Sequence, residues 1–481
     1  LAGLSALKQD FQTALEYADE AVKENCTEPD AYALKTELLR ELGRDTSAFI
    51  RETYDKKIVS SGVLFRTLER DDFFEAIAED PEAILALLRF YAENGLFRSA
   101  VEVLGICPLD DPLIMYWEGH LHMVLGDMEG AAAIWKDAEN TSRGSVFNAN
   151  CSDIGILKEA VIVGEYVGTD MPVTSYRLGK LLSAAGRGKE AVAEMEKAAA
   201  GRPDLAMIAA DLSVAYYNQE RNAAKALEAI GRACALEPEN SLFLLRQDRL
   251  LEIVGADPNV RFSLLEGKKE LVGERDELCI SYARLLNLNG RHEEALKALE
   301  DHDFKAWMGN SGKAAEEYRN TLRALAVKEM VKGNTDRAIE LCKDVFACSE
   351  KPVWASDPDS ADSKTWFMLG ELYREKGDAE ASEDAYLRAA RVEERHADID
   401  SELPSESIYW AGLAKARLGQ SREALAIMKD LIDLGNAHMN DVFEKAAPAG
   451  TDGYEEDPKI LNEDRCKRLV NLGVKGLTEV G

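Results

Sequence analysis

The sequence predicts an all-α protein, a solenoid of antiparallel helix hairpins. Three observations predict it. The stretch TWFMLGELYREKGDAEASEDAYLRAA, residues 365–390, places Trp366, Leu369, Gly370 and Tyr373 at i, i+3, i+4 and i+7, one face of a helix. The same arrangement of small and large residues recurs along the chain. Charged residues make up 30% and aromatics 7%, with only 13 prolines, a mix that suits helices with a solvated surface. A single core seldom grows past about 250–300 residues, so 481 residues call for several domains or an elongated array.

The clearest hairpin shows how the pattern works. Gly377 ends its first helix, as a glycine with positive φ can. Ala381, Ala385, Tyr386 and Ala389 then line one face of a second helix. Small residues stand where the two helices would touch. Gly or Ala there lets helix axes approach to roughly 8–10 Å, and the larger residues fill the gap to the next hairpin.

Along the chain, residues 1–58 read as N-terminal hairpins, the first one truncated, with a weak copy at Gly43/Ala48. Leu1, Ala2 and Ala14 fit the middle of a hairpin and no Met begins the chain, so a fragment or processed product is expected. Residues 59–170 read as irregular hairpins, with copies at Gly95/Ala100 and at Gly119, Gly126, Ala131, Trp135 and Ala138. Segments 56–80 and 140–172 lack a clean repeat. Residues 171–301 are regular: Leu178, Gly179, Gly186, Ala191, Ala198 and Pro203, then Ala226, Ala233 and Pro238, then Gly290/Ala295. Their turns, Gly186, Arg221, Gly255 and Gly290, step by about 34–35 residues, the period of two-helix repeats. Residues 302–481 carry Gly333/Ala338, the 365–390 copy, and Gly412, Gly419 and Ala424. Here the steps lengthen to 43, 44 and 42 residues, with connectors at 349–363 and 394–407. The tail reads as a loop over 446–460 and a last helix near Asn462 to Leu472. The four blocks are expected to form one continuous solenoid.

These residues resemble the tetratricopeptide repeat family, whose succession of large residue, Leu-Gly, Tyr, Gly, Ala, aromatic, Ala and Pro is nearly complete at 366–389 and 178–203. The resemblance implies a right-handed α-solenoid whose first helices line an inner groove. Its variable positions fall at Tyr116, Tyr176, Phe367 and Tyr409, with His120 and Lys180 one turn on. Such residues would contact a peptide, and aromatics are favoured contact residues. Packing against neighbouring hairpins is the competing reading. The Lys/Asn clamp of chaperone-binding relatives is absent at these positions. The chain also looks like the C-terminal array of uncharacterised bacterial proteins that carry an N-terminal β-sandwich similar to galactose mutarotase. In that group a Trp- and Gly-rich stretch sits between hairpins. Phe304, Trp307, Gly309 and Gly312 fall near it, with Met308 and Ser311 where its acidic residues would stand. A Trp-anchored connector that plugs the solenoid is the plainer reading of this stretch.

Sites of chemistry are hard to find. The net charge of −30 disfavours nucleic acid and anionic membrane surfaces. Eight dispersed cysteines with no CxxC suggest reduced, mostly buried thiols and a cytoplasmic setting. No apolar run reaches the ~18 residues of a membrane span. The stretch WMGNSGKAAEEYR fails as a phosphate cradle: Trp307 occupies the first glycine position and Ala314 replaces the magnesium-binding hydroxyl. His120 and His122 point apart on a helix, and Glu118 with His122 supplies too few ligands for a metal. Asp357, Asp359 and Asp362 lack the Gly and Glu of a calcium loop. His302, between Asp301 and Asp303, reads as a solvated loop residue rather than part of a catalytic pair.

The sequence therefore points to a non-catalytic repeat array, without cofactor or metal, that mediates protein–protein or interdomain contacts within a larger bacterial protein. Its partner would be a protein or peptide, including its own β-sandwich domain ahead of Leu1. The alternative is an auxiliary lid, spacer or oligomerisation element of a carbohydrate-active enzyme.

Overall fold

The computed structural model describes residues 1–24, 27–77, 79–108, 111–141, 150–305, 311–347, 362–391, 406–441 and 453–481. These residues form helices and connecting turns, in two compact units, Leu1–Ala215 and Tyr216–Gly481.

The first unit runs through α1 (Ala2–Leu7), α2 (Phe11–Glu24), α3 (Pro29–Glu41), α4 (Ser47–Asp55), α5 (Ser61–Thr67) and α6 (Arg70–Ala76). Then come the hairpins α7 (Pro81–Glu93) with α8 (Phe97–Ile106) and α9 (Pro112–Val124) with α10 (Met128–Asn140). After them stand α11 (Cys151–Val167), the hairpin α12 (Pro172–Ala184) with α13 (Gly188–Gly201), and most of α14 (Ala206–Glu220). The second unit begins in the last turns of α14. It holds α15 (Ala223–Leu236), α16 (Ser241–Ile253), α17 (Pro258–Glu266), α18 (Lys269–Val272), α19 (Asp276–Leu288), α20 (His292–Asp301), α21 (Ser311–Val331) and α22 (Thr335–Ala347). It ends with α23 (Ser363–Lys376), α24 (Ala379–Ala390), α25 (Ser407–Arg417), α26 (Ser421–Ala437) and α27 (Pro458–Val480).

The 363–390 hairpin shows why the chain turns where it does. Gly377 adopts φ 82°, which a side chain would resist, and its N–H bonds back to the Arg374 carbonyl. The next residue, Asp378, starts α24 by accepting from the Ala381 N–H at 3.1 Å. At the helix crossing, a Cβ on Gly370 would overlap the Tyr386 ring. Gly119 faces Trp135, Gly179 faces Met195 and Gly412 faces Met428 in the same way. The Trp135 indole N–H uses this proximity to donate to the Tyr116 carbonyl at 3.0 Å.

Apolar burial follows the hairpins. One cluster extends through the first unit from Ala6 to Ala191. In the second unit, successive clusters centre on Tyr282, on Leu341 and on Tyr409 with Met428. Each helix pair buries its stripe mainly against its neighbours, as stacked repeats do. Two expectations are corrected. The last helix is longer than 462–472, because Gly473 and Gly476 do not end it but seat it against Met428 and Ile432 of α26. His302 is no solvated loop residue: its Nε2 lies 2.8 Å from Asp276 at the start of α19.

Candidate functional site

In the second unit, an extended segment from the C-terminal end of the chain, Gly453–Asp457, lies on α14 and α16, the first helices of successive hairpins. Asn218, in the last turn of α14, grips its main chain twice. The Asn218 Nδ2 donates to the Gly453 carbonyl at 2.9 Å, and Oδ1 accepts from the Glu455 N–H at 3.0 Å. These two groups bracket Tyr454, so one amide side chain reads a stretch of extended backbone.

The residues around this clamp supply selectivity. Tyr454 is 3% exposed and meets Tyr217 edge-on, with ring centroids 5.8 Å apart. Arg221 Nη1 donates to the Glu455 carbonyl at 2.8 Å. Its own guanidinium lies 5.3 Å from the Tyr217 ring centre. Arg221 sits at φ 51°, in a turn where Gly255 and Gly290 occupy the equivalent place in later hairpins. A residue other than glycine bears strain there; here it aims a cation at the segment. Arg249 of α16 pairs with the Glu456 carboxylate. Behind it, Glu252 also pairs with Arg261 at 3.1 Å and Arg284 at 3.3 Å. Burial would raise the Glu252 carboxyl, but Arg261, Arg249 and Arg284 hold it below the usual range. Asp457 ends the segment by capping α27, accepting from the Lys459 N–H at 2.9 Å.

Such an arrangement can hold a polypeptide; it contains no activated nucleophile. A separate cleft of about 510 Å³ is lined by Asp276, Cys279, Tyr282 and His302 among others. Burial pushes its Cys279 thiol up to about 12, so it stays protonated and inert. Among the described residues, no three His, Cys, Asp or Glu side chains gather as metal ligands.

The residues expected at a binding face are spread over both units. Tyr116 is fully buried, its hydroxyl 2.6 Å from Thr174 Oγ1 and 2.9 Å from Arg177 Nη1. His120 Nδ1 lies 2.5 Å from Glu159, and its ring abuts Trp117. Tyr176 and Lys180 converge on one carboxylate, Asp211 of α14, at 2.7 and 2.8 Å. Phe367 is buried between Tyr386 and Trp410. The buried Tyr409 donates to Glu479 of α27 at 2.9 Å. Phe304 is buried against His302, and Gly312 is exposed in the first turn of α21. Trp307 and Gly309 lie outside the described residues. Asn218, Arg221 and Arg249 had no distinguishing sequence signal, because what they hold is more than 200 residues away in the chain.

Comparisons with known proteins place a family on one hairpin. Residues 363–396 match the sequence profile of the tetratricopeptide repeat. Among solved structures, the chain is similar to YrrB, described as a tetratricopeptide repeat protein with an unusual peptide-binding site. Identity is 16%, over 41% of this chain and 95% of that one, at a TM-score of 0.31. It is similar to pilF of Pseudomonas aeruginosa at 16% identity, over 46% and 90% of the two chains, with a TM-score of 0.29. The hetero-tetramer of Cut9 and Hcn1 from APC/C gives 12% identity over 100% and 91%, with a TM-score of 0.28. Within its all-helical array of hairpins, the chain carries a tetratricopeptide repeat at residues 363–396.

Proposed function

We infer that the chain is a non-catalytic, cytoplasmic array that binds an extended segment of protein along the first helices of its hairpins. The observation that carries this reading is the Asn218 grip on the Gly453 and Glu455 main chain. A side-chain amide that satisfies both a C=O and an N–H two residues apart recognises backbone, whatever the sequence. In the first unit, His120, Tyr176 and Lys180 are the contact positions of this reading. In the second, Gly312 and Phe304 border the connector that the bacterial resemblance singles out, and Phe367 flanks Trp410. Buried Tyr116 and Tyr409 contribute by fixing the helices that carry these positions. In the larger bacterial protein which that resemblance implies, the bound segment belongs to a partner protein or to a linker of a β-sandwich domain. The array would then serve that domain as a spacer or lid.

Selection of random peptides on the full chain tests the reading. Selected peptides should lose about tenfold or more in affinity on Asn218→Ala, or on Tyr176→Ala with Lys180→Ala, as truncation of a contact residue costs. Peptides indifferent to both sets would sink it.

A further inference from the structure

We propose that the surface of α14 and α16 around Asn218 is a recognition site for a linear segment of another protein bearing a tyrosine with an acidic residue two positions later. The chain's own Gly453–Asp457 fills this site in cis and must be displaced first. The proposal rests on the protein-binding reading above and gives that site a partner chemistry and a gate.

Two features make 453–457 resemble a bound peptide rather than an ordinary loop. Its main chain is held by side chains of the surface, Asn218 to Gly453 and Glu455 and Arg221 to Glu455. Its side chains also divide as those of a docked extended peptide do. Tyr454 is buried against Tyr217, and Glu456, on the same side of an extended chain, meets Arg249. Recognition thus needs an aromatic ring with a carboxylate two residues on, while Glu455 is read only through its backbone.

The charge of the site sharpens the choice. The chain carries a net charge of −30, so its surface as a whole repels acidic peptides. Arg221 and Arg249 make a local exception. The carboxylate preference therefore comes from Arg249 at contact range, while Arg221 holds the main chain, and it weakens with salt only modestly because the Arg249–Glu456 pair is half-buried.

The cis segment is built to be exchangeable. The following helix, α27, has its own anchorage, with Gly473 and Gly476 against Met428 and Ile432 and Asn462 donating to the His438 and Asp441 carbonyls at 2.8 and 2.9 Å. Releasing 453–457 uncovers one aromatic ring and leaves α27 docked. An incoming segment of the same chemistry recovers the contacts with Asn218, Arg221, Tyr217 and Arg249, so the two occupants compete, with the cis segment favoured by its high effective concentration.

The test uses the full chain and a labelled synthetic peptide with the sequence of residues 451–459, TDGYEEDPK. A loosened variant carries Tyr454→Ala and Glu456→Ala. The parent should bind the peptide weakly, and the loosened variant about tenfold tighter or more, because freeing the site raises the competent fraction. Adding Asn218→Ala should abolish that gain. Peptides with Tyr→Ala, or with Lys at the position of Glu456, should bind the loosened variant about tenfold more weakly. The proposal is overturned if the loosened, folded variant binds no tighter than the parent, or if Asn218→Ala leaves binding intact. Concentration-dependent dimerisation of the parent that the peptide dissolves would also overturn it, since a second copy would then be the occupant. If the double variant does not fold, replacing 453–457 with Gly-Ser residues repeats the experiment. Hydrogen exchange at 454–456 in Asn218→Ala reads release of the segment independently. Library peptides that bind near Asn218 without tyrosine or acid, while TDGYEEDPK fails, would end this proposal and leave the broader reading standing.

Discussion

Gly370 has no room for a side chain, since Tyr386 of the facing helix occupies the space its Cβ would take. Gly370→Leu should therefore force the hairpin apart and cost on the order of 1–3 kcal/mol, read as an earlier thermal transition. A mutant as stable as the parent would place the crossing elsewhere. Charge is equally sensitive inside the first unit. Asp153 is fully buried and accepts from Arg89 at 3.0 and 2.7 Å and from the Trp117 indole at 2.9 Å. Asp153→Ala leaves the buried Arg89 with Glu82, at 2.6 Å, as its remaining carboxylate and should cost roughly 3 kcal/mol in denaturant titrations. Thiols give a pH signature. Burial pushes Cys279 and Cys342 from an ordinary 9.0 up to about 12. Unfolded thiols ionise from about pH 9 while the folded ones stay neutral, so their contribution is full below pH 9 and is lost as pH rises towards 12. Urea midpoints should fall between pH 8 and 10.5, and fall less steeply once both cysteines are Ala. An identical slope in that variant would assign the alkaline loss to other groups.

At the level of elements, the hairpin turns were legible because their cause is local. Gly186, Gly255, Gly290, Gly333, Gly377 and Gly419 all have positive φ, and each stands where the repeat spacing put a turn. Arg221 shows the limit: spacing alone marked it as a turn, and nothing in its chemistry did. The C-terminal helix was under-read for a related reason. A glycine late in a helical stretch resembles a helix end, yet Gly473 and Gly476 let α27 lie close on α26, a fact about a neighbouring helix. Gly473→Val should therefore loosen α27 selectively. Hydrogen exchange over 458–480 should accelerate while α12 and α13 are unchanged, with a cost of about 1–3 kcal/mol. Uniform exchange across both regions would show that α27 does not open on its own.

For the whole molecule, the excess of acid sets a background of self-repulsion over the solvated faces of the hairpins. Raising salt from about 0.05 to 0.5 M shortens the screening length from over 10 Å to a few Å, and should raise the thermal midpoint by a few degrees. A fall would mean that exposed ion pairs such as Lys56 with Glu52, at 2.6 Å, outweigh the repulsion. Against that background Arg249 pairs with Glu456 while Arg221 holds the Glu455 main chain, which no tally of charge would reveal. The expected contact positions illustrate the difference between register and environment. Register put Tyr116, Tyr176, Phe367 and Tyr409 at equivalent places, but packing buries Tyr116, Phe367 and Tyr409 and leaves Tyr176 partly open beside Asp211.

By itself the sequence determined the repeat hairpins, their glycine turns and the small residues at their crossings. All three depend on residues within one hairpin, where spacing converts directly into facing. Tertiary structure alone decided which residues meet across hairpins. Asn218 and Gly453 meet although they are 235 residues apart, and such a meeting is written at no single position.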